Sequence, residues 1–290
     1  MTRVVYVNGR YLPYAQAGVH VEDRGFQFAD AIYEVCEVNH GKLVDETRHM
    51  ERLERSLGEL RIAMPMSRAA LGLVLREVIR RNRVRTGLVY LQVTRGADTK
   101  RNHAFPGPEV KPTVFLMSEA LVTPSAEQLA SGIAAVSAAD IRWLRCDLKT
   151  VSMLANCLLR QHAIDQGCME TVLFRDSFLT EGAASSIFVC KDGVLLVPPK
   201  SHLMLPGITY DVVLELAARE GLPHVVRPVT EGELRSADEI WITSSTKEIL
   251  AITRLDGQAI GNGGPGAGHR HMVALQKNYK HTVMRGRASP

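Results

Sequence analysis

The chain has 290 residues, 46% of them apolar, and a formal net charge of +4 with basic and acidic residues interspersed. That length suits one large domain or two ordinary ones with a substantial core, and no apolar run is long enough to span a bilayer. The start, MTRVVYVNGRYLP, lacks the blocks of a signal peptide, so a cytoplasmic protein is expected, and five scattered cysteines with no CxxC exclude a disulfide framework or a zinc site, so no metal is expected.

In chain order, Val4 to Val7 and Arg10 to Pro13 flank Asn8-Gly9, a hairpin turn signal. Ile32 to Val38 is a β-branched run that ends at Asn39-His40-Gly41. Met50, Leu53, Leu57 and Leu60 mark a helix that ends before Pro65, and Ser67 can cap the next one. That second helix carries the basic run REVIRRNRVR (76–85), but Leu71, Val74, Leu75, Val78 and Ile79 fall at helical spacing through it. A solvated basic face is therefore expected and nucleic-acid binding is not, since no stacking aromatics accompany it. Leu88 to Thr94 and Thr113 to Ser118 read as strands around a polar loop.

Residues 120–128, ALVTPSAEQ, read as a linker. Beyond it, strands at 133–138, 171–175, 186–190, 194–197, 240–243 and 249–254 mix with helices at 154–166 and 210–220, closed by Gly167 and Gly221. The expected fold is α+β in two domains: a small N-terminal α/β domain, 1–122, and a larger C-terminal one, 123–290. GNGGPGAG (261–268) lacks a βαβ frame and is expected to be a flexible loop rather than a dinucleotide site.

Five stretches could carry chemistry. Lys149 is one of only nine lysines against twenty-six arginines, and sits in DIRWLRCDLKTVSM (140–153). A lysine amine becomes a nucleophile when desolvation or a nearby cation disfavours its charged form; Arg142 and Arg145 are near in sequence, as are Trp143 and Leu144. An exposed surface lysine is the plain alternative. TEGAASSIF (180–188) holds Glu181 at the edge of a tight turn of small residues, able to pair with a cationic ring nitrogen or simply to face solvent. LPGITYD (205–211) runs into a helix, with Thr209 as N-cap or phosphate ligand. ITSSTKEI (242–249) adds hydroxyls at Ser244, Ser245 and Thr246 for a phosphate cup or a serine-rich turn. In RGADTKRNH (95–103), Arg101 and His103 alternate around Asn102, so both can face one carboxylate, or the loop is merely solvated and basic.

Together with EDRGFQFADAIYEV (22–35), HMERL (49–53) and VTRG (93–96) followed by RNHAFP (101–106), these stretches resemble the fold type IV pyridoxal-phosphate enzymes, specifically the D-amino-acid aminotransferases, from about residue 3 to 255. The resemblance implies a two-domain fold with pyridoxal 5'-phosphate at the domain interface, and transamination between a D-amino acid such as D-alanine and a 2-oxo acid such as 2-oxoglutarate or pyruvate. It assigns Lys149 as the Schiff-base lysine and proton shuttle, carried by the C-terminal domain with the phosphate cup. It assigns Glu181 to the pyridine nitrogen, Leu205 to the ring, and Arg52, Ile208, Thr209 and Ser245, with Ser244 beside them, to the phosphate. Tyr33, Arg101 and His103 match the trap for the substrate carboxylate, and the loop carrying Arg101 and His103 reaches, in this family, across a homodimer interface. Ala29, Ala31, Ala183, Ala184 and Tyr210 depart from the glycines, serines and arginine expected there, and the tail after 255 matches poorly, with 282–290 expected to be disordered. The competing readings are an L-branched-chain aminotransferase, an (R)-amine transaminase or aminodeoxychorismate lyase on the same fold, or a binding protein that kept the fold without catalysis.

Overall fold

The structure is a computed structural model, and it describes residues 3–98 and 100–284. The chain divides into two compact units. The first takes the residues up to Val122 together with Leu148–Ser152; the second takes Thr123–Asp147 and the chain from Met153 on.

The first unit runs β1 (Val4–Val7), β2 (Arg10–Pro13), α1 (Arg24–Phe28), β3 (Ala31–Asn39), β4 (Lys42–Leu43), α2 (Glu46–Glu59), α3 (Arg68–Asn82), β5 (Thr86–Thr94) and β6 (Val114–Glu119). Its strands form a six-stranded antiparallel sheet in the order β2-β1-β6-β5-β3-β4. The Asn8-Gly9 turn takes positive φ at both residues, 44° and 90°, as the two-residue hairpin requires. Ser67 caps α3 by accepting from the Ala70 amide at 3.3 Å. Met50, Leu53 and Leu57 of α2, with Leu71, Leu75 and Val78 of α3, bury one face of the sheet against alternate residues of β3 and β5. The basic run along α3 is an ion-paired surface: Arg76 meets Glu46 at 2.8 Å, and Arg80 and Arg81 both meet Glu77 at 2.7 Å.

The helix α1 ends in Ala29, which takes the left-handed conformation at φ 56° and so explains why a glycine is expected there.

The second unit runs α4 (Ala126–Ser131), β7 (Ile133–Ala139), α5 (Leu154–Asp165), β8 (Glu170–Arg175), β9 (Phe178–Gly182), β10 (Ser186–Lys191), β11 (Val194–Val197), α6 (Ile208–Arg219), β12 (His224–Val226), α7 (Glu231–Arg235), β13 (Glu239–Ser244), β14 (Glu248–Leu255), β15 (Gln258–Ala259) and α8 (Ala267–Met284). Its mixed sheet runs β12-β11-β10-β13-β14-β7-β8-β9, with β15 on β14. Both faces are covered: Ile187, Ile240 and Ile252 point into one core, and Phe188 and Trp241 into the other, beneath α6 and α8. Burial on both sides is why these strands read as continuous apolar runs.

The expected α+β architecture holds, with local differences. The linker reading of 120–128 gives way to α4, because Ser125 and Gln128 form a reciprocal capping box. The glycine-rich run passes into α8 at Ala267, and α8 extends through Met284 where disorder was expected; residues 285–290 lie outside the described residues. The segment bearing Lys149, expected with the C-terminal domain, groups with the first unit because its backbone pairs with β3. Among the described residues, no helix is long and apolar enough to cross a membrane.

Candidate active site

In the first unit the site grows from the alternation of β3. Ile32, Glu34 and Cys36 point into the core, whereas Tyr33 and Val35 are half-buried on the opposite face. The Lys149 segment lies antiparallel to the start of this strand: the Tyr33 amide donates to the Lys149 carbonyl at 2.9 Å and the Val151 amide to Ala31 at 3.1 Å. This pairing sets the half-buried Lys149 Nζ 4.1 Å from the centroid of the Tyr33 ring, whose π face attracts an ammonium. Tyr33 stacks on Tyr90 at 5.5 Å, and Tyr90 on Phe115 at 5.6 Å, so the ring beneath the lysine is itself held.

Behind β3 lies a buried ion cluster. Arg52 grips Glu34 with two hydrogen bonds of 2.8 Å, and His49 Nδ1 lies 2.7 Å from the same carboxylate. His49 and Arg52 are three residues apart on α2 and so share the face turned to the sheet. Burial alone would raise the Glu34 acid, but the Arg52 guanidinium outweighs it and holds Glu34 well below the usual carboxylate range.

Arg101 and His103 converge on one ring, Phe28: the guanidinium carbon lies 4.7 Å from its centroid and the imidazole centroid 5.3 Å. The described contacts thus set Tyr33 against Lys149, and Arg101 and His103 each against Phe28.

In the second unit Glu181, on β9, is 5% exposed. It pairs with the Arg142 guanidinium, and its Oε1 accepts from the Leu205 amide at 3.2 Å. Burial pushes the Glu181 carboxyl up to about 7, against the lowering effects of Arg142 and the Leu205 amide. Arg142 is itself held by Asp140 at 2.8 Å and by the Leu203 carbonyl at 3.1 Å, and Arg145 by Asp147 at 3.0 Å. Both arginines near Lys149 in sequence are therefore neutralised by carboxylates, contrary to the role of activating cation suggested by their spacing.

The helix α6 starts at Ile208 with Gly207 as N-cap and no side-chain cap, so its first N–H groups have no intrahelical partner. Thr209 is the second helical residue and buried, which removes its N-cap reading. A Cβ at Gly207 would come within 2.9 Å of Ser186 Oγ, so any larger residue would force the serine side chain or the helix start to shift from this close approach to β10. Nearby in the sheet, Thr243, whose β-partner is Ser186, has a buried hydroxyl with no hydrogen-bond partner among the described residues. Ser244 Oγ accepts from the Lys247 amide at 3.0 Å and shapes the turn holding Ser245. Glu170, fully buried, braces both neighbouring turns: it accepts from Ser185 Oγ at 2.8 Å and from the Ala183 amide at 3.1 Å, and meets Lys247 at 3.6 Å. An uncapped helix start, a glycine cradle and an orphaned hydroxyl fit a phosphate group, and the buried carboxylate Glu181 fits a cationic ring nitrogen.

Of the departures, Ala183 packs in the core with Leu159 and Leu173, and Tyr210 is core too, its hydroxyl donating to the Pro198 carbonyl at 2.8 Å. Sequence reasoning missed Glu34, Asp140 and Glu170, whose only signal is a carboxylate within a largely apolar strand, β3 or β8, or just past the end of β7.

The profile of the family described as Amino-transferase class IV matches residues 31–255. The chain is 40% identical over 262 residues to a D-alanine aminotransferase of Bacillus licheniformis, covering 90% of this chain and 92% of the relative. A D-alanine aminotransferase of Staphylococcus haemolyticus is 36% identical over 91% of this chain and 92% of its own. Among solved structures, the branched-chain amino acid aminotransferase of Escherichia coli superposes with a TM-score of 0.89 at 23% identity, covering 96% of this chain and 94% of that one. That of Thermoproteus uzoniensis gives 0.83 at 20%, covering 100% and 97%. These structures share the fold.

Proposed function

Because the chain belongs to the class IV aminotransferases, we propose that it moves the amino group of a D-amino acid such as D-alanine to a 2-oxo acid such as 2-oxoglutarate or pyruvate, using pyridoxal 5'-phosphate. Identity of 36–40% over about nine tenths of the chain to D-alanine aminotransferases supports the D-amino-acid class. The single structural observation that carries the reading is Lys149, an amine held against Tyr33 by backbone pairing to β3.

When bound, pyridoxal phosphate supplies the electron sink that makes the substrate Cα–H acidic. The residues divide the remaining work. Lys149 would hold the cofactor through Nζ, and its free amine would be the base that moves the proton of the substrate Cα. Glu181 keeps a proton on the ring nitrogen by presenting a carboxylate, and a cation there favours the ionised form of an acid that burial alone pushes up. Arg52, Ile208, Thr209, Ser244 and Ser245 take the phosphate, and Leu205 packs on the ring. Tyr33, Arg101 and His103 take the substrate α-carboxylate; fixing it fixes which hydrogen meets Lys149, and so the handedness. The chain works in the cytoplasm as a homodimer on this reading; Ile141, Trp143, Leu144, Leu154 and Leu158, all exposed in the single chain, support pairing with a second copy.

The test is borohydride reduction of the cofactor-loaded protein followed by peptide mapping. The cofactor should be fixed to the peptide containing Lys149, and Lys149→Ala should lose turnover while still binding cofactor noncovalently. A label on another lysine, or normal turnover by the variant, would overturn the assignment.

A further inference from the structure

The loop that carries Arg101 and His103 is exposed, yet one buried side chain holds it. Arg24, 3% exposed, opens the five-residue helix α1, whose N-cap Asp23 accepts from the Gly25 amide at 2.8 Å. Asp23 also accepts from Thr94 Oγ1 at 2.9 Å, and the Arg24 amide donates to Gly96 at 2.9 Å, so the helix start is fastened to the end of β5. Gly25 permits this approach: a Cβ there would lie 2.5 Å from Thr94 Cγ2. From this anchorage the guanidinium donates to three successive carbonyls, those of Asn102 at 2.5 Å, His103 at 3.3 Å and Ala104 at 3.2 Å. Its Nε donates to Asp30 at 2.9 Å, and Asp30 is gripped from the other side by Arg95 at 2.7 and 2.9 Å.

Arg24 also lies over Phe28 at 4.8 Å, and Phe28 is the ring against which Arg101 and His103 rest. One side chain therefore sets both the backbone of the 102–104 segment and the ring that its functional side chains lean on. A planar fork with five N–H donors holds the three carbonyls and the Asp30 carboxylate at once, whereas an ammonium has only three donors.

We infer that Arg24 is the positioning residue of the substrate-carboxylate trap, keeping the Arg101–His103 loop in its binding conformation before substrate arrives. The inference rests on the preceding assignment of Arg101 and His103 to the carboxylate. Without Arg24 the loop must be ordered by the substrate, and that cost weakens carboxylate binding while the chemistry at Lys149 is unchanged.

The experiment compares Arg24→Gln, Arg24→Lys and, as reference, Arg101→Gln in the cofactor-loaded enzyme. Three quantities are read: KM and kcat for D-alanine, the dissociation constant of propionate (a carboxylate without an amino group) by titration of cofactor absorbance, and hydrogen exchange of the 101–105 amides. Arg24→Gln should raise KM and the propionate constant together by about tenfold or more, the range of a lost charge-assisted hydrogen-bond set, with kcat and cofactor absorbance near wild type and faster exchange in the loop. Arg24→Lys keeps the charge beside Asp30 and should show a smaller rise of the same pattern; it decides the matter if the Gln variant does not fold. If Arg101→Gln raises both constants and neither Arg24 variant does, the positioning role fails and the trap stands. Should Arg101→Gln also leave both unchanged, the carboxylate assignment falls and takes this inference with it. Arg24 variants that lose kcat and cofactor in step with KM would make Arg24 a general scaffold residue instead.

Discussion

Glu34→Gln probes the ion cluster behind β3. Glu34 is 1% exposed and Arg52 8%, joined by two 2.8 Å bonds. The substitution keeps shape and one acceptor oxygen but removes the charge that balances Arg52. Breaking a buried pair on one side costs about 3–5 kcal/mol, and the retained acceptor puts this case near 3. At about 2–4 °C per kcal/mol, Tm of the cofactor-free protein should fall by about 6–12 °C. Because Arg52 holds the Glu34 acid below its unfolded value, the contribution is complete above the unfolded pKa of about 4.3 and is lost only as pH falls further. The deficit should thus be constant from pH 8 to 5 and narrow below 4. If Arg52 also takes the cofactor phosphate, that dianion supplies a counter-charge, so saturating pyridoxal phosphate should shrink the deficit. Differential scanning calorimetry with and without cofactor checks both parts. An unchanged Tm would refute the balance of charge; a deficit equal in both states would refute the link from Arg52 to phosphate.

Other outcomes are expected from single side chains. Burial raises the Glu181 acid to about 7 in the folded chain, so it costs stability above the unfolded pKa, and the cost is complete only above the folded one. Glu181→Gln should therefore raise Tm of the cofactor-free protein at pH 8, with the gap closing toward pH 4, while activity falls by about 100-fold; an equal gap at both pH values contradicts the burial argument. Ala29 holds a left-handed conformation at φ 56°, so Ala29→Gly should stabilise by about 0.5–1 kcal/mol, the relief of strain less the added freedom of the unfolded chain; urea titration measures it, and a loss would mean the αL strain is already relieved. Arg101→Ala should raise KM for D-alanine about tenfold or more, with kcat less affected; wild-type kinetics would place the carboxylate elsewhere.

Local chemistry was legible where a residue acts on its own neighbours. Asn8-Gly9 announces its turn, Ser67 its helix start, and Met50, Leu53 and Leu57 the buried face of α2, because propensity and periodicity act within a few residues. Thr230 and Glu233 form a capping box that would have marked α7, and Met272 and Leu275 lie on the buried face of α8; both signals were readable in the sequence. The pairings that build the site carry no such pattern. Arg142 reaches Glu181 across 39 residues, Arg24 reaches Ala104 across 80, and the Lys149 segment pairs with a strand more than a hundred positions earlier. Nothing local distinguishes the arginine that braces a carboxylate from the one that would activate a lysine, which is why Arg142 was read beside Lys149 and found on Glu181.

The most direct test of the central claim uses protein loaded with pyridoxal phosphate, given D-alanine or L-leucine with 2-oxoglutarate, and reads the chirality of the glutamate formed. Pyruvate and D-glutamate from D-alanine, with L-leucine inert, is the predicted result. Turnover of L-leucine alone, with L-glutamate formed, would leave the fold and Lys149 in place and contradict the assignment of Tyr33, Arg101 and His103.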